Sequence, residues 1–345
     1  MKKLIIASLY PNSGKTSFIA GLGAHLGRVG YLKPFGDRLF YHDKQMWDYD
    51  AELMVSLMGL QTEPGALSIG FDHSKLRLDY TPKTVIRKIQ EQMTRFEDRD
   101  MVIIETGGFL ATGRSLGLDA ISLSHTLEAG IILVTSGTAD QIIDDMDYLD
   151  LLNSRLDTQL LGLVVNKIHH KDQFREKFQQ ELNNFSLPVW GMIPRNDHLN
   201  RPTISTILEL LHARVIAGTN GMQNRVAKVF VGAMSGDSVM RMQSFRKPGK
   251  LIITSGDRSD MILAAIETGS AGVILTNDLL PPANIIAKAS ANNIPLILVP
   301  NDTYNAAKRV EHLVSVTRPG DDDKLKLLNE LVEDHVQIQR LLAAI

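Results

Sequence analysis

The stretch SLYPNSGKTS, Ser8 to Ser17, decides how this chain is read. It follows the apolar run Lys3-Leu4-Ile5-Ile6-Ala7 and ends as the phosphate-binding pattern G-x-x-x-x-G-K-[ST] ends. Gly14-Lys15-Thr16 fit that ending, but Leu9 stands where the first glycine belongs. A glycine there eases the tight turn whose backbone N–H groups surround an anion. Its loss does not remove the site, because a loop that follows a strand and opens a helix still offers the helix's free N–H donors. Pro11 pre-sets one turn angle. In this reading Asn12, Ser13, Gly14, Lys15, Thr16 and Ser17 cradle the phosphates of a nucleotide. Lys15 reaches the outer phosphates and the Thr16 hydroxyl binds Mg²⁺.

Working outward, the first two-thirds of the chain alternates apolar runs with helical patterns. Strands are predicted at Leu4–Ala7, Gly30–Leu32, Met101–Ile104, Gly130–Val134, Leu160–Val165 and Val189–Ile193. Helices are predicted at Thr84–Phe96, Gln141–Leu152 and Gln173–Asn183. Near-continuous Val/Ile/Leu strands alternating with helices imply an α/β fold, a parallel sheet covered on both faces. A second set of strands is predicted at Lys228–Gly232, Lys250–Thr254, Gly272–Leu275 and Pro295–Val299. With helices at Ser259–Thr268, Pro282–Ala291 and Thr303–Leu313, it makes a second, smaller α/β domain. Pro202 opens a helix ending near Ala213, and AGTNGMQN has loop chemistry. The acids of GDDDKLKLLNELVEDHVQIQRLLAAI suit the start of a C-terminal helix.

Three further stretches bear on the loop. GYLKPFGD places Lys33 at the end of the second strand. VIIETGG ends a buried strand on Glu105, where an acid beside the loop could hold Mg²⁺ or a polarised water. GLVVNKI ends another strand on Asn166, whose amide could read a purine edge. Each alone is weak, since buried strands often end in a polar residue; their joint occurrence in this order is stronger.

Composition narrows the classes. The 345 residues predict about two domains, and a net charge of −2 gives no single-sign field for nucleic acid or an anionic membrane. No apolar run approaches the roughly 20 residues of a membrane span. Lys2 and Lys3 before a short apolar run imitate a signal peptide, but the run is too short, so a mature cytoplasmic start is expected. The chain has no cysteine, which removes disulfides, thiol catalysis and thiolate metal sites. Ser13 and Ser17 lack an identifiable histidine–acid pair, against a hydrolase. His169-His170 reads as a solvated turn, and Met234, Met240 and Met242 as packing residues.

With these motifs together, residues 1–210 resemble the dethiobiotin synthetase-like branch of P-loop ATPases, as in the N-terminal region of long bacterial phosphotransacetylases. In that branch the loop often lacks the early glycine. The resemblance implies a P-loop NTPase-type sheet that binds ATP and Mg²⁺. GYLKP is similar to the family's second lysine motif, which makes Lys33 a catalytic phosphate or substrate lysine beside Lys15. DYDAEL (Asp48–Leu53) resembles its acidic motif, with Asp50 as the Mg²⁺-linked residue. Thr16, Asp50 and Glu105 then form the metal set, and Asn166 reads the base. WGMIPRNDHLNRPTI resembles the run that follows in the phosphotransacetylase-type branch, placing Pro194 at the nucleotide. Residues 211–320 resemble a DRTGG domain through LIITSGDRSDMILAAI, GVILTND and LVPNDTYNAAKRVE, although no glycine pair follows Arg258. Residues 321–345 are left as a C-terminal helix. No acetyltransferase domain follows, so acetyl transfer to phosphate is not expected.

In the second domain, Asp257 or Ser259 can cap a helix and Arg258 can make an anion site there. Thr276-Asn277-Asp278 and Asn301-Asp302-Thr303 also end strands. These loops are either caps and turns or a site for an unidentified small ligand. Three functions compete: a nucleotide-dependent regulator or sensor, an ATP-dependent synthetase that phosphorylates a carboxyl or carbamate, and a structural protein with a relic loop. The first is preferred. The resemblance also implies a homodimer or higher homo-oligomer.

Overall fold

The computed structural model describes residues 1–42, 45–155, 158–313 and 316–345. They divide into two units, Met1–Asn196 with Thr317–Ile345, and Asp197–Val316.

The first unit is built on strands β1 (Lys2–Ser8), β2 (Val29–Leu32), β5 (Met101–Glu105), β6 (Gly130–Thr135), β7 (Leu160–Ile168) and β8 (Val189–Pro194). They form one sheet in the order β2-β5-β1-β6-β7-β8, every pairing parallel. Leu4, Ile5, Ile6, Val102, Ile103 and Ile104 are fully buried, as strands covered on both faces require. Because all six run the same way, Ser8, Leu32, Glu105, Thr135, Ile168 and Pro194 end on one edge, where open α/β sheets take their ligands.

An antiparallel hairpin, β3 (Leu39–His42) and β4 (Gln45–Asp48), was not predicted. It leads into helix α2 (Tyr49–Leu57), which Asp48 caps through Asp50 N and Ala51 N. The helix expected over Gln173–Asn183 is two, Lys171–Lys177 and Gln179–Asn184. The chain turns between them at Phe178, whose ring packs 5.1 Å from that of Phe174.

The C-terminal residues form two helices rather than one, and both belong to the first unit. Helix Asp322–His335 lies against α1 (Lys15–Gly23): a Cβ on Gly21 would stand 2.5 Å from the Leu328 carbonyl oxygen. The break comes where Val336 bridges Gly191 and Gln337 N donates to Trp190 O at 2.7 Å. The last helix is Ile338–Ala343.

In the second unit β10 (Lys228–Val231), β11 (Lys250–Ser255), β12 (Gly272–Thr276) and β13 (Leu296–Leu298) run parallel, and β9 (Arg214–Ala217) pairs antiparallel with β13. Thr203 caps helix Ile204–Leu211, whose Ile204, Ile207 and Leu211 pack with Leu251, Ile253, Ile274 and Ile297. A boundary at residue 210 therefore cuts a helix that serves this core. Met240 packs as expected, but Met234 and Met242 are exposed.

Candidate nucleotide site

The loop Leu9–Gly14 is held by its carbonyl oxygens. Tyr10 O accepts from the Ser8 hydroxyl at 2.8 Å and the Ser13 hydroxyl at 2.9 Å. Asn12 O accepts from Lys167 Nζ at 2.6 Å, and Ser13 O from Asn166 Nδ2 at 2.9 Å. A peptide is planar and trans, so fixing the carbonyls of Asn12 and Ser13 aims the N–H groups of Ser13 and Gly14 to the opposite side. Successive N–H groups so directed form an anion-binding concavity. Gly14 has φ 96°, and Asn166 Nδ2 lies 2.2 Å from where its Cβ would be, so both conformation and space require glycine. Where Leu9 replaces the early glycine, the next residue is anchored: Tyr10 OH donates to Asp145 at 3.0 Å, and the Thr135 hydroxyl donates to the same buried carboxylate.

Below the loop lies a buried charge cluster. Lys15 Nζ donates to the Ser8 hydroxyl at 3.0 Å, and burial lowers its proton affinity. The Thr16 hydroxyl donates to Glu105 Oε1 at 2.8 Å, and Tyr31 OH donates to Oε2 at 2.9 Å. Burial, then the neighbouring Asp50 carboxylate, pushes Glu105 up to about 7. Lys33 is 1% exposed and sits 2.6 Å from Asp37, 3.2 Å from Asp48 and 2.6 Å from Asp50. Burial would strip its proton, but the surrounding carboxylates outweigh that and hold it on. Burial likewise opposes the charge on Asp50, yet Lys33 and Arg38 keep its pKa below the ordinary value. Asp48 also accepts from the N–H groups of Asp37 and Arg38, which completes its role as a hub of the hairpin and α2.

Thr16, Asp50 and Glu105 thus stand together at the loop, with Lys15 beside them. Lys33 is nearby, but its three ammonium donors face three carboxylates. Asn166 braces the loop: its Nδ2 meets Ser13 O and its Oδ1 accepts Lys167 N at 2.9 Å. Ser17 lies in the first turn of α1, half-buried. Pro194 ends β8 beside Ile168, on the same sheet edge. Sequence reasoning missed Tyr10, Tyr31, Arg38, Asp145 and Lys167. Only Lys167, adjacent to Asn166, carried a local signal.

In the second unit the loops after β11, β12 and β13 share one edge, since those strands are parallel. Neither Asp257 nor Ser259 caps helix Ser259–Glu267. Arg258 is fastened to the segment after β10, with Nη2 donating to Met234 O at 2.6 Å and Nε 3.3 Å from Asp260. Asp302 does cap helix Thr303–Glu311, through Asn305 N at 2.8 Å, and Asp278 pairs with Arg214 at 3.1 Å.

Residues 2–203 match the family described as AAA domain, and residues 206–313 match the DRTGG domain. The phosphate acetyltransferase of Nitrosomonas europaea is 23% identical over 336 residues, covering 91% of this chain and 47% of that protein. That of Pseudomonas aeruginosa is 26% identical over 362 residues, covering 95% and 50%. The chain spans about half the length of the curated relatives it matches. Among solved structures, a ParA family ATPase from Chlorobium tepidum is similar over 57% of this chain and 86% of its own, at 12% identity and a TM-score of 0.37. By its first 203 residues the chain belongs to the AAA domain family, and a DRTGG domain follows.

Proposed function

We propose that the first unit binds ATP with Mg²⁺ and that binding serves control of an activity associated with the protein. The observation that carries the reading is the loop whose carbonyls are tied back by Ser8, Ser13, Asn166 and Lys167, which aims its N–H groups as an anion cradle. Lys15 supplies a buried cation whose hydrogen-bond partner among the described residues is a neutral hydroxyl.

Thr16, Asp50 and Glu105 fit a divalent cation. They are a hydroxyl and two carboxylates, the hard oxygen donors that Mg²⁺ takes. Glu105 is buried, and its anionic form is disfavoured without a compensating charge. Bound there, Mg²⁺ would neutralise charge on the outer phosphates. Lys15 would bind those phosphates, and Asn166 and Lys167 would keep the cradle in shape.

Control is favoured by the course of the chain. It leaves the first unit after Asn196 and returns at Thr317, and the returning helix Asp322–His335 packs on α1, the helix that Lys15 begins. Arg318, at the start of that return, lies 4.9 Å over the ring of Tyr49, between Asp48 and Asp50. The relatives are named phosphate acetyltransferases, which supports reading the controlled activity as one connected with acetyl transfer.

Titration calorimetry with ATP, with and without Mg²⁺, tests the reading, together with phosphate release. Mg²⁺-dependent binding with little phosphate release supports control. Absence of binding refutes the nucleotide site, and rapid turnover that needs an acyl or carbamate acceptor favours a synthetase.

A further inference from the structure

We propose that Arg38 is a specificity-determining residue of this site, whose guanidinium contacts the terminal phosphate and so separates nucleoside triphosphates from diphosphates. The inference rests on the nucleotide reading above and assigns the charge that Lys33 was expected to supply.

Four cations lie near the loop and the acids: Lys15, Lys33, Arg38 and Lys167. Lys15 Nζ donates to the Ser8 hydroxyl at 3.0 Å at the loop's base, and it would meet the phosphates that the cradle holds. Lys33 faces Asp37, Asp48 and Asp50 at 2.6, 3.2 and 2.6 Å, so its donors are spent on the protein's own carboxylates. Arg38 is placed differently. Its main chain is pinned on both sides, N–H to Asp48 Oδ2 at 3.0 Å and carbonyl accepting Tyr49 N at 2.9 Å. Its side chain reaches the loop, where Nη2 donates to Asn12 Oδ1 at 2.6 Å. Nη1 is 3.7 Å from Asp50 Oδ1, beyond hydrogen-bond distance. Among the described residues these are the guanidinium's polar contacts, and the side chain is 30% exposed. A guanidinium has five N–H donors in a fixed fork that matches phosphate oxygens. Most of that fork is left to face a ligand.

The position is specific. Asn12 lies two residues before Gly14, on the loop that cradles the phosphates, and Asp50 is one of the carboxylates that fit the metal. Arg38 bridges the two. Lys167 Nζ approaches the carbonyl oxygen of the same Asn12 at 2.6 Å, so two cations flank one neutral residue. Burial, then Arg38 and Arg195, lowers the proton affinity of Lys167. An anionic oxygen brought to Arg38 relieves that repulsion. A diphosphate held by the cradle and Lys15 lacks the group that reaches it.

The test is equilibrium binding of ADP and a non-hydrolysable ATP analogue, both with Mg²⁺, to wild type, Arg38→Ala, Arg38→Lys and Asn12→Ala. Arg38→Ala is expected to weaken the analogue by about 10- to 100-fold, the range of a charged hydrogen bond, and ADP by less than about 3-fold. Retained ADP affinity also shows that the variant is folded. Arg38→Lys recovers part of the discrimination. If Arg38 only braces the loop through Asn12, Arg38→Ala and Asn12→Ala weaken both nucleotides by one common factor, which overturns the proposal. An unchanged ratio in Arg38→Ala also overturns it. A wild type that binds neither nucleotide overturns the nucleotide reading, and this inference with it.

Discussion

Replacing Glu105 by glutamine should make the ligand-free protein more stable at pH 8 while removing its response to Mg²⁺-ATP. The carboxylate is 2% exposed, and burial with Asp50 nearby raises its pKa from 4.5 to about 7. The folded state therefore holds this proton more tightly than the unfolded chain does. Stability from this group is complete below pH 4.5 and is lost as pH rises through about 7. The loss is about 3 kcal/mol at most. Glutamine keeps the shape, and its amide can still meet the hydroxyls of Thr16 and Tyr31, which both donate and accept. At roughly 2–4 °C per kcal/mol, the unliganded variant should melt up to roughly 6–12 °C above wild type at pH 8. The gap should narrow toward pH 5. Thermal melts across that range, with and without Mg²⁺-ATP, are the assay. A variant that melts no higher than wild type at pH 8 overturns the buried, proton-holding Glu105, and one that keeps the full Mg²⁺-ATP shift overturns its part in holding Mg²⁺.

Two other substitutions probe other parts of the fold. Tyr10→Phe removes one of the two hydroxyls that donate to buried Asp145, so it should cost about 1–2 kcal/mol and loosen the loop. Nucleotide affinity measured by calorimetry should fall several-fold, and an unchanged affinity would show that Leu9 needs no such anchor. Lys250 is buried against Phe245, with the carbonyls of Lys247 and Thr268 as its acceptors, and burial pushes it down to about 8. The folded protein thus releases this proton before the unfolded chain does. Stability should rise as pH climbs from about 8 toward about 10.4, and Lys250→Met should flatten the rise in denaturant titrations. A slope that survives the substitution assigns the effect elsewhere.

The sheet of the first unit was legible because its strands are unbroken runs of Leu, Ile and Val, and such runs are buried on both faces whatever surrounds them. The hairpin Leu39–Asp48 was not, because its Leu39, Tyr41 and Met46 are exposed and its neighbours are charged. Strand Arg214–Ala217 is four residues long and only two residues separate it from the preceding helix, so its pattern merged with the helix end. The break at Phe178 depends on where two phenylalanines find room, which periodicity does not encode. In the site, Lys15, Thr16 and Glu105 were legible from motif spacing and strand ends. Tyr31, Arg38 and the Tyr10–Asp145 pair were not, since each acts through a partner distant in sequence. The surroundings of Lys33 were hidden as well: its motif was visible, but not that Asp37, four residues on, and Asp48 and Asp50, brought back beyond the hairpin, all engage its ammonium.

The most direct measurement is the thermal midpoint of wild type and Lys15→Ala, each with and without saturating Mg²⁺-ATP. A ligand at about 100 times its dissociation constant adds about 2.7 kcal/mol, or roughly 5–11 °C in a domain of this size. That shift is expected in wild type and its disappearance in Lys15→Ala, each judged against its own ligand-free midpoint. An equal shift in both proteins, or none in either, contradicts a working phosphate loop between Ser8 and Ser17.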